Sequence, residues 1–146
     1  LLGGSMKFIL GTCLVITLLV TSSPILAQNS DSPPLLVVSS NQVQMGKMGE
    51  VNNMVDSIFA PILNELVDEG MIASWGQFNH AWADEWNLNF WYVAKDMGSF
   101  EAFWNEYVKR VGAKHPDAFG SVVKYFKAHK DNMYTIRNQY PVPPSD

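Results

Sequence analysis

The chain has 146 residues, of which 47% are hydrophobic and 16% charged, with a formal net charge of −4. That length supports one domain with a real core. The acidic balance and the lack of any Lys/Arg run argue against nucleic acid or anionic lipid as a partner.

Residues 1–5 precede Met6 and read as upstream read-through, and residues 6–27 read as a signal peptide. Lys7 supplies the positive start, Phe8 to Val20 the apolar run, and Thr21 to Ala27 a small, polar end with cleavage before Gln28. The run falls short of the roughly 17 residues a membrane span needs. The expectation is therefore an exported protein, periplasmic or secreted, with no stable membrane span after cleavage. Cleavage would remove Cys13, the only cysteine. The remaining chain would then have no disulfide framework, no thiolate zinc site and no cysteine nucleophile. Residues 28–34 are a polar, Pro-ended linker. The domain itself is expected over residues 35–137, with an irregular tail at 138–146.

Leu35 to Val43 begins as a β-branched run and reads as a strand buried on both faces. Met45 to Glu69 reads as a long helix, with apolar residues at Met48, Val51, Val55, Ile58, Phe59, Ile62 and Leu66. Pro61 lacks a backbone donor and should kink or restart it. Gly70 is the expected left-handed stop.

Trp75 to Ala94 reads as a hairpin and holds all but one of the five tryptophans. A three-residue loop at 83–85 sets Trp82 opposite Trp86 and His80 opposite Leu88. One face then carries Gly76, Phe78, His80, Trp82, Trp86, Leu88, Phe90, Tyr92 and Ala94 and should pack on the helices. The other carries Trp75, Gln77, Asn79, Ala81, Asn87, Asn89, Trp91 and Val93. Large indoles among amides suit neither a solvated face nor a dry core, so this face is expected to line a ligand pocket or a subunit interface. The register decides which residues share a face.

Ser99 to Val111 reads as a helix capped by Asp96 or Ser99, with Phe100, Phe103, Trp104, Tyr107, Val108 and Val111 as its inner stripe and Gly112 closing it. Pro116 opens a short helix whose apolar face is Phe119, Val122, Val123 and Phe126. His129-Lys130-Asp131-Asn132 reads as a polar turn before a last strand, Met133 to Ile136.

Strand, helix, strand, strand, helix, short helix, strand is a split βαβ order. It predicts an α+β fold, a four-stranded antiparallel sheet with helices on one face. The uncovered face is expected to close against a second copy, giving a homodimeric α+β barrel.

Several stretches carry a family likeness: Glu69-Gly70, His80-x-Trp82-x-Asp84-Glu85-Trp86-Asn87, Tyr92-Val93-Ala94-x-Asp96 before Phe100, and His129-Lys130-Asp131-Asn132-x-Tyr134. Together they resemble the dimeric α+β-barrel (ferredoxin-like) superfamily, in an exported branch near the antibiotic-biosynthesis monooxygenases and EthD-like proteins. Fold alone is poor evidence of activity there, because the superfamily hosts several chemistries.

His80 is the one histidine on the hairpin and, as a general base, would suit proton abstraction, with Asp84 or Glu85 orienting it. The competing reading is a histidine hydrogen-bonded to backbone. His80, Asp84, Glu85, His129 and Asp131 contain the donor types of a metal site, but their spacing demands none, and no metal is assigned. No phosphate loop, nucleophile elbow or His-Glu-x-x-His motif is present, and no cofactor is expected. Trp75, Gln77, Asn79, Asn89 and Trp91 are the expected ligand-binding residues, walls for a small aromatic or hydrophobic molecule. Two functions follow. One is a binding domain. The other, which the resemblance implies, is a cofactor-independent monooxygenase-like enzyme with His80 as base, or else a haem-binding or haem-degrading barrel.

Overall fold

The computed structural model describes residues 33–82 and 85–138. The expected leader, most of the linker, Asp84 and nearly all of the tail lie outside those residues.

Strand β1 is Leu35–Val43. A helical arm follows in three parts: α1, Met48–Met54, a π-helical turn, Val55–Phe59, and α2, Ala60–Asp68. Pro61, in the first turn of α2, explains the break. Its nitrogen donates nothing and its ring crowds the carbonyl four residues back, so the helix widens just before it. The Ala60 N–H accordingly reaches the Val55 carbonyl, five residues back. Gly70, at φ 75°, ends the arm in the left-handed region, as expected.

Strands β2, Ser74–Asn79, and β3, Leu88–Ala94, form the hairpin. Helix α3 is Met97–Lys114. Its cap is Asp96, whose Oδ1 accepts from the Ser99 N–H at 2.7 Å. It starts before Ser99 and runs through Gly112, which does not close it; the last turn ends at His115. The short α4 is Ala118–Val122, begins two residues after Pro116, and passes through a 3₁₀ turn, Val123–Tyr125, into β4, Phe126–Thr135. His129 to Asn132 is therefore the middle of a long edge strand and not a turn. Two of the residues that suggested a turn, Lys130 and Asp131, join Lys127 in keeping an exposed edge from pairing with another chain.

The sheet order is β2-β3-β1-β4, all pairs antiparallel, with the helices on one face. The fold class expected from the order of elements is the one observed. The core lies between sheet and helices. Val51, Val55, Phe59, Ile62, Leu63 and Leu66 of the helical arm meet Phe103, Tyr107 and Val111 of α3 over Val37, Leu88, Tyr92 and Ala94 of the sheet. Each such side chain contributes about 1.5–3 kcal/mol by leaving water.

The hairpin register differs from the expected one by a single residue. Asn79 pairs with Leu88, Gln77 with Phe90, Trp75 with Tyr92. The β3 half of each face stands as read: Leu88, Phe90, Tyr92 and Ala94 face the helices, and Asn89, Trp91 and Val93 face away. The β2 half is inverted, because a one-residue slip turns every side chain over. Trp75, Gln77 and Asn79 face the helices, while Gly76 and Phe78 share the open face with Trp91. Gly76 shows why this register is preferred. The Trp91 indole lies across it, so close that a Cβ there would stand 2.5 Å from the ring. Asn87 locks the end of the ribbon to β1: its amide accepts from the Val43 N–H at 2.7 Å and donates to the Val43 carbonyl at 2.9 Å.

The open face carries Leu36 and Val38 of β1, Phe78 of β2, Trp91 and Val93 of β3, and Tyr134 of β4. Phe78 and Tyr134 are half exposed.

Candidate functional site

A cavity of about 400 Å³ lies within the single layer between sheet and helices. Its floor is the helix-facing side of the sheet: Ser39 and Asn41 from β1, Phe90 and Tyr92 from β3, and Phe126 and His129 from β4. One wall is Val51, Val55, Phe59 and Leu63 of the helical arm; the opposite side is Trp104 and Tyr107 of α3 with Phe119 and Val122 of α4. The mouth opens between α3 and β4, where Trp104, Val123, Lys127 and His129 reach solvent. A smaller lobe of about 130 Å³, sharing Ser39, Tyr92 and Trp104, extends along β4 to Asp131 and Met133.

Aromatic rings give the cavity its shape. Trp104 packs on Tyr107 with centroids 5.5 Å apart and meets the Tyr92 ring edge-on at 6.2 Å. Tyr107 stands perpendicular to Phe119 at 5.9 Å, and Phe119 continues to Phe59 at 5.4 Å. Rings braced against one another in this way border the cavity on its α3 and α4 side. The volume lies within the roughly 300–1,000 Å³ of small-molecule sites.

Its polar groups fall into two sets. At the rim, buried Asn41 presents Oδ1 to His129 Nδ1 at 2.9 Å, and Asp131 presents Oδ2 to His129 Nε2 at 3.0 Å. The amide of Asn41 is oriented by its own donor, which points at the Leu88 carbonyl, 3.5 Å away. The ring is thus fixed on both sides, and its tautomer settles which acceptor receives a proton. Inside are the hydroxyls of Tyr92 and Tyr107, each residue 4% exposed. Burial pushes the Tyr92 hydroxyl far above the usual phenol range, with the charge of Asp131 adding to the effect. Burial does the same to Tyr107, with Tyr92 contributing. Both remain neutral phenols, able to donate and to accept.

The residues expected to bind a ligand are distributed differently. Trp75 donates from Nε1 to Asn64 Oδ1 of α2 at 2.9 Å. Gln77 donates to Asn52 Oδ1 of α1 at 2.9 Å and to Asn79 Oδ1 at 3.2 Å. These three lie on the helix side and tie edge strand β2 to the helical arm. Asn89 and Trp91 lie on the other side of the sheet. Asn89 is buried and donates to the Trp86 carbonyl at 2.9 Å. Lys130 sits 4.1 Å over the Trp86 ring. His80 is exposed beyond the end of β2, its N–H directed at the Asn87 carbonyl. None of these residues lines the cavity. Its lining was legible in part as the α3 stripe; Ser39 and Asn41 belong to the polar run Ser39 to Gln42 of β1, which marks no face by itself. Among the described residues no three potential metal ligands come together, and no helix is long and apolar enough to cross a membrane.

Solved structures share this arrangement. A NIPSNAP family protein from Agrobacterium tumefaciens superposes with a TM-score of 0.62 at 10% identity, over 75% of this chain and 91% of that one. A dimeric ferredoxin-like protein from an uncultured marine organism gives 0.59 at 6% identity, over 75% and 91%. A conserved protein from Methanosarcina mazei gives 0.54 at 20% identity, over 73% and 95%. No family model matches the chain, and neither does any curated protein. At these identities the likeness establishes the fold, which is ferredoxin-like, and nothing about chemistry.

Proposed function

We propose that this ferredoxin-like chain is a small-molecule-binding domain that works as a homodimer and holds a largely apolar, flat ligand between its sheet and its helices. The observation that carries this reading is the ring-braced cavity of about 400 Å³ in the middle of an otherwise packed core. Interiors close such spaces when nothing occupies them, since an empty one costs stability for each contact its walls forgo. The homodimer is supported by the apolar open face and by the dimeric ferredoxin-like description of two proteins of the same fold. The leader-like residues 6–27 support export. The exported branch of the α+β-barrel superfamily is part of the same proposal.

The test is direct. Naphthalene and 2-acetonaphthone are titrated into the purified protein and into Val55→Trp, in which an indole from the helical arm fills the space. Saturable binding to the wild type, abolished in a folded Val55→Trp, is the expected result. Binding that survives in Val55→Trp would move the site elsewhere, with the surface around Trp75, Asn89 and Trp91 next to be examined.

A second reading, an enzyme in the same cavity, is favoured by one observation. His129 is held between Asn41 and Asp131 on the rim, within reach of a bound molecule, whereas His80 does not line the cavity. With Nδ1–H donated to Asn41, Nε2 would exchange its contact with Asp131 for one with the ligand and take the proton there. Loss of turnover in His129→Ala with binding retained supports this reading; binding without any turnover in the wild type removes it.

A further inference from the structure

The two tyrosine hydroxyls inside the cavity have a consequence for what it binds. Among the described residues neither the Tyr92 nor the Tyr107 hydroxyl has a hydrogen-bond partner within the protein, although both residues are 96% buried by their 4% exposure. Yet no fully occluded side-chain nitrogen or oxygen in the described residues lacks a partner. Both hydroxyls therefore retain access to open space, and the space both residues line is the cavity. Each hydroxyl thus faces a mostly apolar space whose walls give it no partner, and a molecule that fills the space and excludes water must supply one or leave it unsatisfied at a cost.

Charge narrows the partner. Asp131 lines the smaller lobe beside Tyr92, so a carboxylate on the ligand would meet a negative charge there. The one lysine of the lining, Lys127, and its one histidine, His129, belong to the mouth and not to the interior. We propose that Tyr92 and Tyr107 read a neutral hydrogen-bond acceptor, a carbonyl-type oxygen, on an otherwise apolar ligand of this cavity. This rests on the binding reading above and names the chemistry of its ligand.

Three probes with one ring system separate the possibilities: naphthalene, 2-acetonaphthone and 2-naphthoate. Each is measured by equilibrium dialysis against the wild type, Tyr92→Phe, Tyr107→Phe and the double variant. Phenylalanine keeps both rings in place, and circular dichroism checks each fold. Two net hydrogen bonds predict that the ketone binds the wild type about tenfold or more tighter than the hydrocarbon. The double variant should bring the ketone to the affinity of naphthalene and leave naphthalene unchanged. Naphthoate should bind weakest. Equal affinities of ketone and hydrocarbon for the wild type overturn the proposal while leaving the cavity reading intact. So does a double variant that still prefers the ketone. Tightest binding by naphthoate overturns the neutral acceptor in favour of an anion. Failure of naphthalene and ketone alike overturns the binding reading and this one with it.

Discussion

Gly76→Ala is a substitution for which general rules and the local structure give opposite signs. Glycine inside a strand costs roughly 0.5–1 kcal/mol relative to alanine, because the unfolded chain loses more freedom. Gly76 is not among the positive-φ glycines, so no backbone strain opposes the change. On those grounds alone the variant should be more stable than the wild type. The added Cβ, however, would stand 2.5 Å from Trp91 Cε2 and Nε1 and 2.6 Å from Cζ2. Carbon atoms attract best at about 3.5–4.0 Å, so the indole must shift by about 1 Å or leave the sheet. Overpacking of that kind costs about 1–3 kcal/mol. The steric term wins, and the net expectation is a loss of about 0.5–2 kcal/mol. Urea unfolding followed by far-ultraviolet circular dichroism, at one protein concentration, measures it. The control is the same change in Trp91→Ala, where the obstacle is gone and the alanine should be neutral or stabilising. The resulting coupling between positions 76 and 91 should be about 1–3 kcal/mol. A Gly76→Ala protein more stable than the wild type, or a cycle with no coupling, refutes the register on which this depends.

Asn87→Ala removes both bonds to Val43, whose backbone is buried, and should cost about 2–4 kcal/mol with the urea slope unchanged; a loss under about 0.5 kcal/mol would mean that water replaces the amide. Phe78→Glu places a charge on the open face and should convert the proposed homodimer to a folded monomer in light scattering, whereas an intact dimer would locate the subunit contact elsewhere. The Arg110 guanidinium bonded to Glu69 and Glu106 holds both carboxyls below their usual range, and the Ser99 amide does the same for Asp96. Lowered carboxyl values mean that this stability is complete above the unfolded carboxylate range, near pH 4, and is lost as pH falls through the folded values. Arg110→Leu should therefore flatten the acid limb of a stability–pH curve and leave the limb above pH 8 in place; equal acid sensitivity in the two proteins would show that the pairs are screened away.

How much of this was legible in the chain follows from which signals are local. The α3 stripe repeats at helical spacing, and Asp96 with Ser99 marks its start, so that element could be read from adjacent residues alone. The faces of β3 could be read too, because Leu88, Phe90, Tyr92 and Ala94 alternate with Asn89, Trp91 and Val93. The faces of β2 could not, since Trp75, Gln77 and Asn79 on one side and Gly76 and Phe78 on the other carry no clean alternation. They depended on a loop length, and one residue inverted them. Gly76 was the available clue: a glycine within an aromatic-rich ribbon marks where a large ring lies flat on the neighbouring strand. β4 is longer than its sequence suggests because His129 to Asn132 look like a turn, whereas Lys130 and Asp131 are edge-strand protection. The cavity was hidden for a different reason. Its lining is drawn from three strands, β1, β3 and β4, and from the helical arm, α3 and α4, and most of the contributions, taken singly, are ordinary core residues. Even Ser39 and Asn41, on the helix-facing side of β1, sit in one polar run with Ser40 and Gln42 of the opposite face.

The widened turn in the helical arm has a geometric consequence. In an ordinary α-helix, residues spaced by four advance roughly 40° around the axis at each step, so a file of them spirals away from any flat surface. Val51, Val55, Phe59 and Leu63 are such a file, and all four border the cavity. The Val55–Phe59 segment takes one more residue per hydrogen-bonded loop than its neighbours, which cancels part of that drift. The arm consequently offers a straighter rail, about three turns long, in place of a helical stripe, and such a rail is what a planar guest lying along the sheet could touch from end to end. Deleting one residue at Ser57 would restore regular winding and rotate half of the rail out of line.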